Sequence, residues 1–284
     1  MKNIILFIII ILIFLQLINI TFILENSNEI LNKKQEKPQK INIVVARYNE
    51  YLKWTLEEPF NQFKYIVYNK GDNENFEKKN VLEIIKLENI GRDFHTHLYH
   101  IVNNYNNLAD INIFLPGSLE LYYKKIIAKH LINNVIKYNQ SVLCVPFLPY
   151  ANNFLYNYKH EDYINSSKFN QTDKCNKKVV NADIRPFGKW YNNNFKESLN
   201  YVTQFGIFSI NKNDILQHPK EKYDIFLSKL SKSINPEEGY FIEISIFSIF
   251  YPYNNTIIEN CYKYWLFSLP ILLYKILENN NIIK

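Results

Sequence analysis

The hydrophobic pattern divides the chain before any residue chemistry is considered. From Ile4 to Leu24 the run IILFIIIILIFLQLINITFIL holds no charge. As a helix rising 1.5 Å per residue it spans about 31 Å, the depth of a bilayer core. Residues 25–40 (ENSNEILNKKQEKPQK) are polar, charged and proline-containing, the composition of a stem or linker. From Ile41 onward, short β-branched runs alternate with stretches of helical period.

Ile41–Ala46 (INIVVA) predicts a buried parallel strand, and Tyr65–Tyr68 (YIVY) a second, closed by the turn signal Asn69-Lys70-Gly71. Val81–Leu87 is a third. Gly91-Arg92-Asp93 then opens a helix reaching about Tyr105, with Phe94, Leu98, Ile101 and Val102 as its apolar stripe. Ile111–Leu115 predicts a strand stopped by Pro116-Gly117, Leu119–Tyr138 a long amphipathic helix, and Ser141–Phe147 a further strand. Between about Ala151 and Asn200 the periodicity fades, which predicts a long irregular region covering an active site. Gln204–Ile210 predicts a strand, followed by helices at about 213–232 and 239–250. Trp265–Leu277 is apolar but interrupted by Pro270, too short to span a membrane, and is expected to pack on the domain. This rhythm predicts an α/β domain over residues 41–284, built on a single mostly parallel sheet flanked by helices.

The apolar run at residues 4–24 reads as a transmembrane signal anchor, because it exceeds a signal-peptide core and no small-residue cleavage pattern follows it. Lys2 favours a cytosolic amino terminus, whereas Lys33, Lys34, Lys37 and Lys40 compete from the other side. The expectation is a single-pass protein whose domain lies in the lumen of the endoplasmic reticulum, Golgi or secretory pathway. An anchor facing the cytosol and a cleaved signal are the alternatives. N-glycosylation triplets at Asn165, Asn170 and Asn254 agree with a luminal domain, although an Asn-rich chain produces such triplets readily.

Composition narrows the function classes. With 47% hydrophobic and 16% aromatic residues, the chain is no disordered polymer. Lys plus Arg is 33 against 27 acidic residues, and no basic block is long enough to track phosphates, so nucleic-acid binding is disfavoured. Cys144, Cys175 and Cys261 are too few and scattered for a disulfide framework or a zinc cage. Asn, Ile, Lys and Tyr dominate, which suggests an AT-rich coding bias. Against that bias the six glycines and three arginines mark positions that were retained.

In open parallel sheets ligands gather beyond the carboxyl ends of the strands. Three such loops carry chemistry: Arg47-Tyr48-Asn49-Glu50, Asn69-Lys70-Gly71-Asp72, and Asn89-Ile90-Gly91-Arg92-Asp93. A helix amino terminus completed by Arg92 is an anion site; a surface helix whose arginine pairs with a carboxylate is the plainer reading. Arg47 and Glu50 are either ligand contacts or a lock on their loop, and Lys70 is either a phosphate contact or a solvated turn lysine. His95 and Tyr99 share one helix face, and Thr96 and His100 another. His95, His97 and His100 do not converge, so no metal site is expected from them. The chain has no G-x-S-x-G elbow, Walker loop or dinucleotide glycine fingerprint.

The segments VVARYNEYLKW, YIVYNKG and NIGRDFHTHLYHIVNNYNNLADINIFLPG resemble a family of uncharacterised fungal and viral proteins, a domain of unknown function similar to type-A-fold glycosyltransferases. Pro186-Phe187-Gly188, Gln204-Phe205-Gly206-Ile207-Phe208-Ser209 and Glu243 extend the resemblance over about residues 41–250. It departs from the family in two places. Asp93 stands where Glu is usual, and Leu115-Pro116-Gly117 replaces Phe-Leu-Gln-Gly. The resemblance implies a type-A-like fold and a nucleotide sugar held over Arg47, Asn49, Glu50, Asn69, Lys70, Asn89, Gly91, Arg92, Asp93, Tyr99, Gly117 and Gln204. Glu243 or His95 would be the base for a glycan or protein acceptor. Type-A glycosyltransferases hold a divalent cation with Asp-x-Asp, and this chain has none. Two functions therefore stand: sugar transfer without that motif, or a noncatalytic glycan-binding or interaction domain.

Overall fold

The computed structural model describes residues 39–145, 155–160, 179–203 and 205–261. These belong to the unit that begins at Gln39. The predicted anchor, most of the stem, Cys175, Asn165, Asn170, Gln204 and the 265–277 segment lie outside the described residues. Among the described residues no helix is long and apolar enough to cross a membrane.

The strands are β1 (Ile41–Arg47), β2 (Tyr65–Asn69), β3 (Val81–Lys86), β4 (Ile111–Pro116), β5 (Ser141–Cys144), β6 (Phe208–Asn211) and β7 (Thr256–Glu259). The helices are α1 (Arg92–Asn103), α2 (Tyr122–Tyr138), α3 (Phe187–Asn194), α4 (Lys212–Leu216), α5 (Lys220–Leu230) and α6 (Glu237–Phe250). Five strands form one sheet in the order β3-β2-β1-β4-β6. Its first four are mutually parallel, with Val45 paired to both Val67 and Leu115, and β6 runs antiparallel to β4.

Both faces of this sheet are covered, which is why its central strands read as unbroken apolar runs. On one face Val44, Tyr68, Phe114, Phe208 and Ile210 pack with apolar residues of α1, α3, α5 and α6. On the other, Ile43, Val45, Val67, Ile113 and Leu115 pack against Ile127, Leu131 and Val135 of α2 and against Trp54. The architecture is thus α/β with a mostly parallel sheet flanked by helices.

Several elements differ from the sequence expectation. The strand predicted from Gln204 starts at Phe208, because Phe205 and Gly206 occupy left-handed conformations and turn the chain there. The predicted 213–232 helix is broken by Pro219 into α4 and α5. The region expected to be irregular contains α3. The 141–147 strand ends at Cys144 and pairs with β7, not with the main sheet.

A side chain joins the two sheets. Ser209 Oγ accepts from the Val142 amide at 2.7 Å and donates to the Val142 carbonyl at 2.9 Å. The parallel β5–β7 pair also brings Cys144 and Cys261 together, with Cα atoms 5.1 Å apart, in a disulfide spanning 117 residues. The apparent scatter of the cysteines was therefore misleading: a sheet pairing, not sequence proximity, aligns two of them.

Candidate functional site

Strands β2 and β3 lie to one side of β1, and β4 to the other, so the chain reverses its winding between β1 and β4. Such a reversal leaves a crevice at the strands' carboxyl ends, where ligands bind in open α/β sheets. The ends of β1, β2 and β4, the start of α1, the turn before β6 and a carboxylate of α6 supply the candidate residues.

Two cations singled out from the sequence turn inward. Arg47, almost fully buried, donates through Nε to the Glu50 carbonyl at 2.8 Å. Its Nη1 reaches the Tyr48 carbonyl at 3.2 Å and Asn69 Oδ1 at 2.5 Å, and its guanidinium lies 4.0 Å from the Phe76 ring. It locks the loop after β1 through carbonyls, not through the Glu50 carboxylate, and Asn69 is spent in the same network. Lys70 is also buried, and its Nζ donates to the carbonyls of Ile90 and Arg92 at 2.6 Å each. Burial lowers its pKa to about 8. The ammonium positions the start of α1 and is not a solvated phosphate contact. Asn49 is exposed, whereas Asn89 and Tyr99 are half-buried, Tyr99 lying edge-on to Tyr68.

Arg92 turns outward. Gly91 and Arg92 both adopt left-handed backbone, at φ 61° and 54°, immediately before α1 continues. The exposed guanidinium reaches Asn235 Oδ1 at 3.3 Å and lies 5.1 Å from the Tyr240 ring. Among the described residues no carboxylate forms an ion pair with it. It combines with the amino terminus of α1, which has no side-chain cap, to make an anion-facing surface.

Three carboxylates gather near this point. Glu50 Oε2 accepts from the Tyr48 amide at 2.7 Å and lies where a side chain at position 117 would sit. A Cβ added to Gly117 would fall 2.7 Å from that oxygen, so a larger residue there displaces the carboxylate from this position. Trp54 Nε1 holds the Gly117 carbonyl at 3.0 Å. Glu243 Oε1 accepts from the Phe205 amide at 2.6 Å. Asp93 lies between these groups electrostatically: its charge acts on both Glu50 and Glu243. Burial raises the pKa of Glu50 and of Glu243, the Asp93 charge adding to each, while Arg92 and Lys124 partly oppose the shift at Glu243.

His95 is buried against Tyr99, and burial together with Lys70 lowers its pKa to about 3. A group so weakly basic is a poor proton acceptor near neutrality. His97 and His100 are likewise buried, His97 against Phe94, Phe114 and Phe208, and His100 against Tyr68 and Phe114. No group of three or more His, Cys, Asp or Glu among the described residues is placed to hold a metal ion.

Sequence reasoning missed the other wall. Phe205, at φ 70°, sets its ring 5.1 Å from that of Tyr123, and Lys124 Nζ lies 5.9 Å from the Phe205 ring. Nothing local ties Tyr123 to a turn so distant in sequence. Chemically the arrangement offers an anion-facing arginine, a fixed carboxylate of raised pKa, and an aromatic wall beside it.

No curated protein matches the chain. A family model matches residues 43–262, which cover the crevice, every described site residue named above and the sheet except the first two residues of β1. The chain therefore belongs to the family described as Protein of unknown function (DUF3431).

Proposed function

We propose that the protein is a membrane-anchored, glycosyltransferase-like enzyme that transfers a sugar from a nucleotide sugar without an Asp-x-Asp metal motif. The observation that carries this reading is the Glu243 carboxylate, fixed by the Phe205 amide between Arg92 and the aromatic wall at the strand ends. Arg92 and the α1 amino terminus face the diphosphate. Glu243 takes the proton of the acceptor hydroxyl as its oxygen bonds to the anomeric carbon. The bond from that carbon to the diphosphate breaks, and the diphosphate leaves with the electron pair. No step is assigned to a divalent cation.

A buried disulfide supports maturation in an oxidising compartment, and hence a luminal domain. The second reading is a noncatalytic glycan-binding or interaction domain on the same fold. Full-length protein in lipid nanodiscs, incubated with uridine and guanosine diphosphate sugars with and without EDTA, separates the two. Nucleotide release that survives EDTA and is abolished in Glu243→Gln is expected. No release from any donor would overturn the enzymatic reading.

A further inference from the structure

We infer that Phe205, Tyr123 and Lys124 form a subsite for a carbohydrate acceptor, with one sugar ring lying on the face of Phe205 and a hydroxyl directed at Glu243. The inference rests on the proposed sugar chemistry of the same crevice and adds to it the group that receives the sugar.

The backbone is the first argument. A bulky L-residue at φ 70° is strained, and glycine stands immediately after it. The strain has a local result: it turns the Phe205 amide onto Glu243 Oε1 at 2.6 Å and leaves the ring half-buried at the edge of the core. Ring and carboxylate are thereby placed by one peptide unit and share its rigidity.

The second argument is the surface so formed. The rings of Phe205 and Tyr123 meet at 59° with centroids 5.1 Å apart, making a corner and not a closed stack. Lys124 Nζ lies 5.9 Å from the Phe205 centroid and donates to Ser118 Oγ at 2.8 Å. Leu121 and Tyr122, at the start of the same helix, are 46% and 66% exposed. A pyranose has one face of C–H groups and a rim of hydroxyls, which match an aromatic face bordered by a cation and a carboxylate. A nucleobase would also stack on a ring. The Phe205 amide, however, holds Glu243, the proposed base for the acceptor hydroxyl, so the wall is assigned to the acceptor.

Saturation-transfer NMR on the full chain in nanodiscs tests this without requiring turnover. The probes are the methyl glycosides of glucose, galactose, mannose and N-acetylglucosamine. At least one should receive saturation on its C–H face from the wild type. Phe205→Leu should weaken that glycoside at least tenfold, and Phe205→Trp, which keeps an aromatic face, should retain it. Calorimetric affinities for uridine and guanosine diphosphate should be the same in all three proteins. Saturation of no glycoside, equal glycoside affinity in Phe205→Leu, or a loss confined to nucleotide binding would each overturn the subsite. Glycoside binding that depends on Phe205, in a protein that consumes no nucleotide sugar, would sustain the subsite and sink the transferase reading.

Discussion

The ammonium of Lys70 holds the carbonyl oxygen of Arg92 at 2.6 Å, and the same nitrogen holds that of Ile90. One buried cation thus clamps both sides of the left-handed turn that aims the Arg92 guanidinium outward. Lys70→Met should lower affinity for uridine diphosphate at least tenfold, because the turn no longer holds the Arg92 guanidinium in its outward aim. The Lys70 pKa lies near 8, so the clamp loosens as pH rises through that value. Wild-type affinity measured by calorimetry should fall between pH 7 and pH 9, and the Met variant should lack that component.

Arg92 itself is exposed and strained. Arg92→Ala should remove charge-assisted hydrogen bonds worth roughly 1.5–3 kcal/mol each from diphosphate binding. Lysine should rescue poorly, because a point charge cannot reproduce a planar fork. Arg92→Gly relieves the positive φ, so its melting temperature should equal or exceed that of the wild type while binding is lost. A variant that melts well below the wild type, with affinity intact, would make Arg92 a structural residue.

Glu243 should show function and stability moving in opposite directions. Burial raises its pKa, so the ionised form costs stability as pH rises above the ordinary carboxylate value. Glu243→Gln keeps an oxygen to accept from the Phe205 amide and removes the repulsion from Asp93. The expected outcome is loss of sugar transfer with an unchanged or higher melting temperature, read by differential scanning calorimetry.

The helix that bears Arg92 should make the domain acid-sensitive. His95, His97 and His100 have pKa values lowered by burial from 6.5 to about 3, about 3 and about 4. The unfolded chain therefore binds more protons than the folded one below pH 6.5. Stability is fully present above that pH and falls as pH drops toward the folded values. Each histidine contributes up to about 1.4 kcal/mol per pH unit in that window. Urea midpoints at pH 7 and pH 5 should differ sharply, and His97→Phe should flatten the dependence.

How much of this was legible in the sequence depended on how local each signal was. The central strands were readable because burial on both faces leaves runs such as INIVVA and INIFL. α1 was readable from Gly91 and its stripe. α3 was obscured because FGKWYNNN looks like the Asn-rich background around it, and β7 because TIIE is short, one buried residue followed by three half-buried ones. Glu50, Gly117, Arg92, Asp93 and Glu243 were all singled out from sequence, yet whether a cation faces ligand or backbone is a tertiary property. Arg47 and Lys70 carry the same charge as Arg92 and face carbonyls. The pairing of Phe205 with Tyr123 has no sequence signature, since one lies in a turn before β6 and the other at the start of α2.

The Cys144–Cys261 bridge closes a loop long enough that chain entropy alone gives about 4–5 kcal/mol. Replacing both cysteines by serine should lower the melting temperature by several degrees. Thiol labelling after denaturation should find these two cysteines protected in protein from the secretory pathway. Labelling of both would contradict the bridge.

Glu237 is fully buried and takes Arg185 by an ion pair. Its two oxygens also accept from the amides of His160 and Ala182, at 3.0 and 2.9 Å. Residues far apart in sequence are thus fastened to one carboxylate, so losing that single charge would unfasten two chain segments at once.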